Sequence, residues 1–159
     1  MIPSSILVPT DGSKPAMAAE AMAADLANAV GQMEITVVHV IPMSCVSDDV
    51  ISENVVRIKE TNYLACSLEQ QQNAQAVVDA GVKRIQKGVG SHSVTVTGKV
   101  LEAPSPAQAI AEEAHAKGSC SLIILGNRGL GGFGSLALGS VSTQVLHAAH
   151  CPVLVVKAD

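Results

Sequence analysis

Short apolar, β-branched runs recur along the chain, each followed by a longer stretch of helical composition, and this alternation constrains the fold more than any other feature. Ser5-Ile6-Leu7-Val8-Pro9 predicts a strand closed by the turn residues Pro9-Thr10-Asp11-Gly12-Ser13, and the Ala-rich stretch from Pro15 to about Val30 predicts a helix. Glu34 to Ile41 is nearly all apolar and stops at Pro42, which suits a strand buried on both faces. Met43 to about Glu60 has no clean period and is read as a loop with room for a short helix. Thr61 to about Lys87 reads as a long amphipathic helix, ended by Gly88 and Gly90. Ser93 to Leu101 alternates Val with Thr or Lys, the pattern of a strand with one wetter face near a sheet edge. A helix over Pro106–Lys117, a continuous apolar strand over Ser121–Leu125, a helix from about Ser140 to Ala149 and a last strand over Pro152–Val156 complete the reading.

Strands that alternate with helices form parallel sheets with right-handed crossovers. The fold class is therefore α/β: one domain over residues 1–159, a doubly wound five-stranded parallel sheet in the flavodoxin-like order 3-2-1-4-5, with helices on both faces. Such sheets bind ligands beyond the carboxyl ends of the strands, where the strand order reverses, here between the first and fourth strands. Asp11 and Gly126 follow those two strands.

Composition narrows the function. One Tyr, one Phe and no Trp leave no rings on which single-stranded nucleic acid stacks, and a formal charge of −4 does not attract a phosphate backbone, so no nucleic-acid partner is expected. No apolar run reaches the length of a membrane span and the N-terminus has no signal-like pattern, so a cytoplasmic protein with no membrane partner is expected. Cys45, Cys66, Cys120 and Cys151 form no CxxC pair, and His150-Cys151 is a poor chelate because adjacent strand residues face opposite ways. Free thiols and no protein-held metal follow.

Chemistry concentrates in Gly126–Ser140, which holds six of the thirteen glycines. Without Cβ atoms in the way, backbone N–H groups can turn inward onto phosphate oxygens, and the loop runs into a helix whose first N–H groups and dipole favour an anion. Ser140 and Ser142 add hydroxyls and Arg128 a fixed positive charge. Neither familiar phosphate motif applies. No Gly-Lys-Ser/Thr exists, and Gly129-Leu130-Gly131-Gly132-Phe133-Gly134, although it matches GxGxxG, follows the fourth strand with no acidic residue after it until Asp159.

Gly126, two residues, Gly129, nine residues and Gly139-Ser140 reproduce the GxxG-x9-G[ST] pattern, and the chain thereby resembles the ATP-binding branch of the universal stress proteins. ILVPTDGS at Ile6–Ser13, HVI at His39–Ile41, LIILGNRG at Leu122–Gly129 and CPVLVVK at Cys151–Lys157 extend the resemblance over essentially the whole chain. The resemblance implies that Asp11, preceded by Pro9 and Thr10 at the same site, bonds the ribose hydroxyls and that the backbone of Val40 faces the adenine. It further implies that Gly126, Gly129, Gly139 and Ser140 bind the phosphates, with Leu125, Arg128, Val141 and Ser142 lining the same cleft. ATP, with AMP as an alternative and magnesium accompanying the phosphates, is the implied ligand and a homodimer the implied assembly, and the apolar last strand Pro152–Val156 at a sheet edge invites the pairing. The chain departs from the family at Ala103-Pro104-Ser105-Pro106, where relatives carry Gly-x-Pro, and at Ser121, where they often carry an acidic residue. Gly131, Gly132 and Gly134 loosen the loop beyond what the pattern requires, which suits ordering on ligand binding.

No Ser-His-Asp arrangement and no pair of carboxylates is legible at the cleft, and His39 reads as a core or inter-strand histidine rather than a catalytic one. No catalytic residue is assigned, so binding with slow or no hydrolysis is expected of a regulatory, stress-response protein. Two alternatives stay open: a slow ATPase or phosphotransferase, and a dimeric interaction module without a nucleotide.

Overall fold

The apolar runs pair side by side, and their registry fixes everything around them. The computed structural model describes residues 2–46, 55–58, 61–64, 66–90, 92–118, 121–130 and 138–158. Strands β1 (Ser5–Pro9), β2 (Met33–Pro42), β6 (Val94–Ala103), β7 (Ser121–Gly126) and β8 (Val153–Val156) form one sheet in the order β6-β2-β1-β7-β8. Every neighbouring pair is parallel, so in chain order the sheet reads 3-2-1-4-5, as the alternation of elements predicts.

Helices cover both faces. On one, α1 (Lys14–Val30) and α2 (Leu68–Gly88) pack Ala19, Ala23, Val78 and Ile85 against Ile6, Val8, Ile35 and Val37. On the other, α3 (Pro106–Ala116) and α4 (Ser140–Ala148) pack Ala107, Ile110 and Val145 against Leu7, Val38, Val40 and Ile123. Successive β2 residues thus serve opposite cores, which is why its sequence is apolar without alternation. Each fully buried Val, Leu or Ile side chain contributes about 1.5–3 kcal/mol, and the aromatic-poor core relies on many such contributions. β6 lies at the sheet edge, and its exposure alternates over residues 94–97, where Val alternates with Thr.

Caps set the helix ends that matter for the cleft. Ser13 Oγ accepts from the Ala16 N–H at 3.3 Å, Pro15 occupies the first turn of α1, and Gly31 closes the helix at φ +85°. Ser105 caps α3 ahead of Pro106.

Two expectations are corrected. Part of the region read as a loop, Met43 to Glu60, contains β3 (Cys45–Val46) and β4 (Val55–Ile58), while its residues 47–54 and 59–60 lie outside the described residues. Thr61–Leu64, expected to open the long helix, is strand β5, which pairs antiparallel with both to give a second, three-stranded sheet of order β3-β5-β4. The helix starts at Leu68 instead because Ser67 and Gln70 form a reciprocal capping box: Ser67 Oγ accepts from the Gln70 N–H at 3.2 Å and Gln70 Oε1 from the Ser67 N–H at 2.8 Å. Among the described residues no helix is long and apolar enough to cross a membrane.

Candidate functional site

At the carboxyl ends of β1 and β7, where the strand order reverses, lies a cleft of about 540 Å³, a volume typical of small-ligand sites. Every residue assigned to the site from sequence lines it: Pro9, Thr10 and Asp11 after β1, Val40 on β2, Leu125, Gly126, Arg128 and Gly129 from β7 and its loop, and Gly139, Ser140, Val141 and Ser142 at the start of α4.

The polar end is built by backbone turns. Asp11 follows β1, and its Oδ1 accepts from the Ser13 N–H at 3.0 Å while Oδ2 accepts from the Leu130 N–H at 2.9 Å. The carboxylate therefore bridges the loops that follow β1 and β7. This approach is possible only because residue 129 is glycine, since a Cβ there would collide with Asp11 Oδ2. Gly126 is enclosed in the same way: a Cβ would sit 2.5 Å from the Pro15 carbonyl carbon and 2.8 Å from the Ala16 nitrogen, in the first turn of α1.

The two arms of the glycine loop close on each other. The Gly139 N–H donates to the Asn127 carbonyl at 2.7 Å, and the Asn127 N–H donates to the Val156 carbonyl at 2.8 Å, which ties the arms to β8. Ser142 is buried, and its hydroxyl donates to the Gly126 carbonyl at 2.8 Å, so this hydroxyl fixes the floor of the cleft. Ser140 is exposed at the first turn of α4, and the N-cap, Gly139, has no side chain to cover the helix's leading N–H groups. Those donors, with the Arg128 guanidinium on the facing arm, make this end suited to an anion. Residues 131–137 of the loop, including Gly131, Gly132 and Gly134, lie outside the described residues.

Much of the remaining lining is apolar, with Val38, Pro42, Pro106, Ile110 and Leu138 joining Val40 and Leu125. Sequence reasoning did not assign these five. Val38 was available from strand period, two residues before Val40, and Pro106 from the rule that a helix following a parallel strand starts at that strand's carboxyl end. Pro106 belongs to the Ala103–Pro106 stretch that departs from Gly-x-Pro, so that departure borders the cleft. The other departure is at the far end of the sheet: Ser121 is buried and its hydroxyl lies 3.1 Å from that of Ser5.

His39 also reaches the cleft. Its Nδ1 lies 2.7 Å from the Thr10 carbonyl oxygen, which can only accept, so Nδ1 is the donor of this bond. Of the two roles expected of it, core or inter-strand, the geometry shows the second. Glu20 was missed altogether. It lies on α1, 1% exposed, accepts from Thr10 Oγ1 at 2.7 Å, and is paired with Arg84 of α2, whose Nε stands 2.5 Å from Oε2. That guanidinium is held above its usual range chiefly by the hydrogen bond to Glu20.

Comparison with known proteins agrees with this architecture. The model of the universal stress protein family matches residues 4–157. A universal stress protein of Mycolicibacterium smegmatis is 33% identical over 156 residues, covering 97% of this chain and 48% of its own length, so the chain spans about half of that relative. Universal stress protein YxiE of Bacillus subtilis is 31% identical over 97% of this chain and 99% of its own length. Among solved structures, the universal stress protein from Archaeoglobus fulgidus in complex with dAMP superposes with a TM-score of 0.67 at 22% identity, covering 99% of this chain and all of that one. A family member from Arabidopsis thaliana with AMP bound gives 0.57 at 15% identity, over 99% and 93% of the two chains. At those identities the structural likeness speaks to the fold alone, whereas the family match runs through both strands that flank the cleft and the glycine arms above them. The chain belongs to the universal stress protein family.

Proposed function

We propose that the chain is a regulatory protein that binds an adenine nucleotide in this cleft, with ATP as the physiological form and AMP as the alternative. One observation carries the reading: a largely apolar cleft at the reversal of strand order is also lined by the uncovered start of α4, by Arg128 and by the carboxylate-bearing Asp11. The adenine lies in the cleft against the Val40 backbone, the ribose hydroxyls donate to Asp11, and the phosphates rest on Gly126, Gly129, Gly139 and Ser140 near Arg128. Family members that carry dAMP and AMP support this reading. Magnesium accompanies the phosphates, and no residue of the cleft is assigned to catalysis. The protein dimerises through β8, an edge strand on which Leu154 is 38% exposed, and backbone pairing of two such edges satisfies both.

The test is denaturation of freshly purified protein and chromatography of the released nucleotide, beside a Gly129→Asp, Gly139→Asp double variant that places two carboxylates at the anion end. About one adenine nucleotide per chain, lost in the variant, is expected. Wild-type protein that releases nothing and whose melting temperature ignores millimolar ATP and AMP would refute the proposal.

A further inference from the structure

Most buried positions of α1 are small: Ala16, Ala19, Ala23, Ala24 and Ala27 let the helix lie close to the sheet. Glu20 is the remaining buried position. A buried ion pair is weak evidence for stability, because removing two charges from water costs about as much as their attraction returns. Its retention among alanines therefore calls for another role, and its hydrogen bonds point to one. Glu20 Oε1 accepts both from Arg84 Nη2 at 3.0 Å and from Thr10 Oγ1 at 2.7 Å. Thr10 Oγ1 in turn accepts from the Gly12 N–H at 3.3 Å, where the chain turns at φ +78°. Between Thr10 and Gly12 stands Asp11, with Oδ1 held by the Ser13 N–H. The backbone of Thr10 is tied separately, its N–H to the Val38 carbonyl at 2.8 Å and its carbonyl to His39. The hydroxyl is thus the contact through which the region below the sheet surface acts on the turn that aims Asp11.

We infer that Glu20 and Arg84 are positioning residues for the ribose end of the cleft: the buried carboxylate, held by the guanidinium, fixes the Thr10 hydroxyl and through it the direction of Asp11. This inference rests on the nucleotide-binding reading. Neither Glu20 nor Arg84 lines the cleft, so their effect on a ligand passes through Thr10 and the turn. The consequence is selective: affinity gained from the ribose hydroxyls depends on the pair, and affinity gained from the apolar lining and the phosphate end does not.

The experiment measures binding of AMP and of 2′,3′-dideoxy-AMP by calorimetry to the wild type and to Glu20→Gln, Thr10→Val, Thr10→Ser and Ile85→Val. The last variant trims the core beside α1 without touching the turn and reports what lost stability alone does to affinity. Expected are AMP binding weakened about tenfold in Glu20→Gln and Thr10→Val, dideoxy-AMP binding nearly unchanged, recovery in Thr10→Ser, and no change in Ile85→Val. Equal weakening for both nucleotides, loss of AMP affinity in Ile85→Val as well, or unaltered binding in Thr10→Val would overturn the inference while leaving the nucleotide reading intact. A wild type that binds neither nucleotide refutes the reading itself, and the inference with it.

Discussion

Replacing Gly126 and Gly129 one at a time by alanine separates what the cleft needs for stability from what it needs for its ligand. At Gly126 the new Cβ meets backbone, with the Pro15 carbonyl carbon at 2.5 Å and the Ala16 nitrogen at 2.8 Å, and no side-chain rotation relieves either contact. Relief requires α1 to move off β7, against the packing of Ala19 and Ala23 on the sheet. Overpacking of this kind costs about 1–3 kcal/mol, and the backbone identity of the obstacle puts Gly126→Ala at about 3 kcal/mol. For 159 residues the unfolding entropy is about 0.3 kcal/mol/K, so the melting temperature should fall by about 9 °C. At Gly129 the obstacle is the Asp11 carboxylate, which can swing away at the loss of its bond to the Leu130 N–H, about 1 kcal/mol. Gly129→Ala should therefore melt within about 3 °C of the wild type yet weaken nucleotide binding by about tenfold or more. Calorimetric melting and titration with AMP test both arms. A Gly126→Ala protein that melts within about 2 °C of the wild type refutes the claim that helix and strand are in contact there.

Four further outcomes follow from the same contacts. Arg84→Met leaves the Glu20 charge in the core without its partner and should cost about 2–3 kcal/mol in urea titrations, whereas Glu20→Leu combined with Arg84→Met should recover most of that loss. Ser142→Ala removes the bond to the Gly126 carbonyl and should cost about 1 kcal/mol by the same method, with no chain break or loss of helix. Lys117→Ala breaks a 2.6 Å pair with the half-exposed Glu34 and should change stability by less than about 1 kcal/mol. Burial pushes the Cys151 thiol up, so less of it is thiolate near neutral pH, and peptide mapping should show it alkylated more slowly than glutathione under the same conditions.

The parallel sheet was legible because β1, β2 and β7 carry apolar runs that no other environment accommodates, and the cleft because its glycines lie at fixed spacing beside them. Glu20 was not legible. Within an alanine-rich helix a single glutamate reads as the solvated position, and only Arg84, 64 residues later, makes its burial tolerable. The second sheet escaped for another reason: β3, β4 and β5 are two to four residues long, too short for a period of two to declare itself. Leu64 and Leu68 at helical spacing extended the expected helix upstream, although the Ser67–Gln70 capping box already marked its start. His39 had the right role and an incomplete location, since an inter-strand bond to the Thr10 carbonyl also brings the ring to the cleft.

The bond from the Leu130 N–H to Asp11 joins residues 119 positions apart, and β1 finds its partner β7 only after a similar interval. Order of synthesis then acquires a meaning. As the chain leaves the ribosome, β1, α1, β2, α2 and β6 can assemble into a half-sheet in which β1 keeps one edge open, while Asp11 already occupies its turn with nothing opposite. The half-sheet must wait for the last third of the chain, and closing so long a loop is what makes such topologies slow to fold. A nascent or truncated chain ending before β7 would expose the β1 edge as a template for misplaced strands. The cleft, by contrast, exists only once β7 and the first turn of α4 have joined β1, so its two walls are brought together by the same late pairing that closes the sheet.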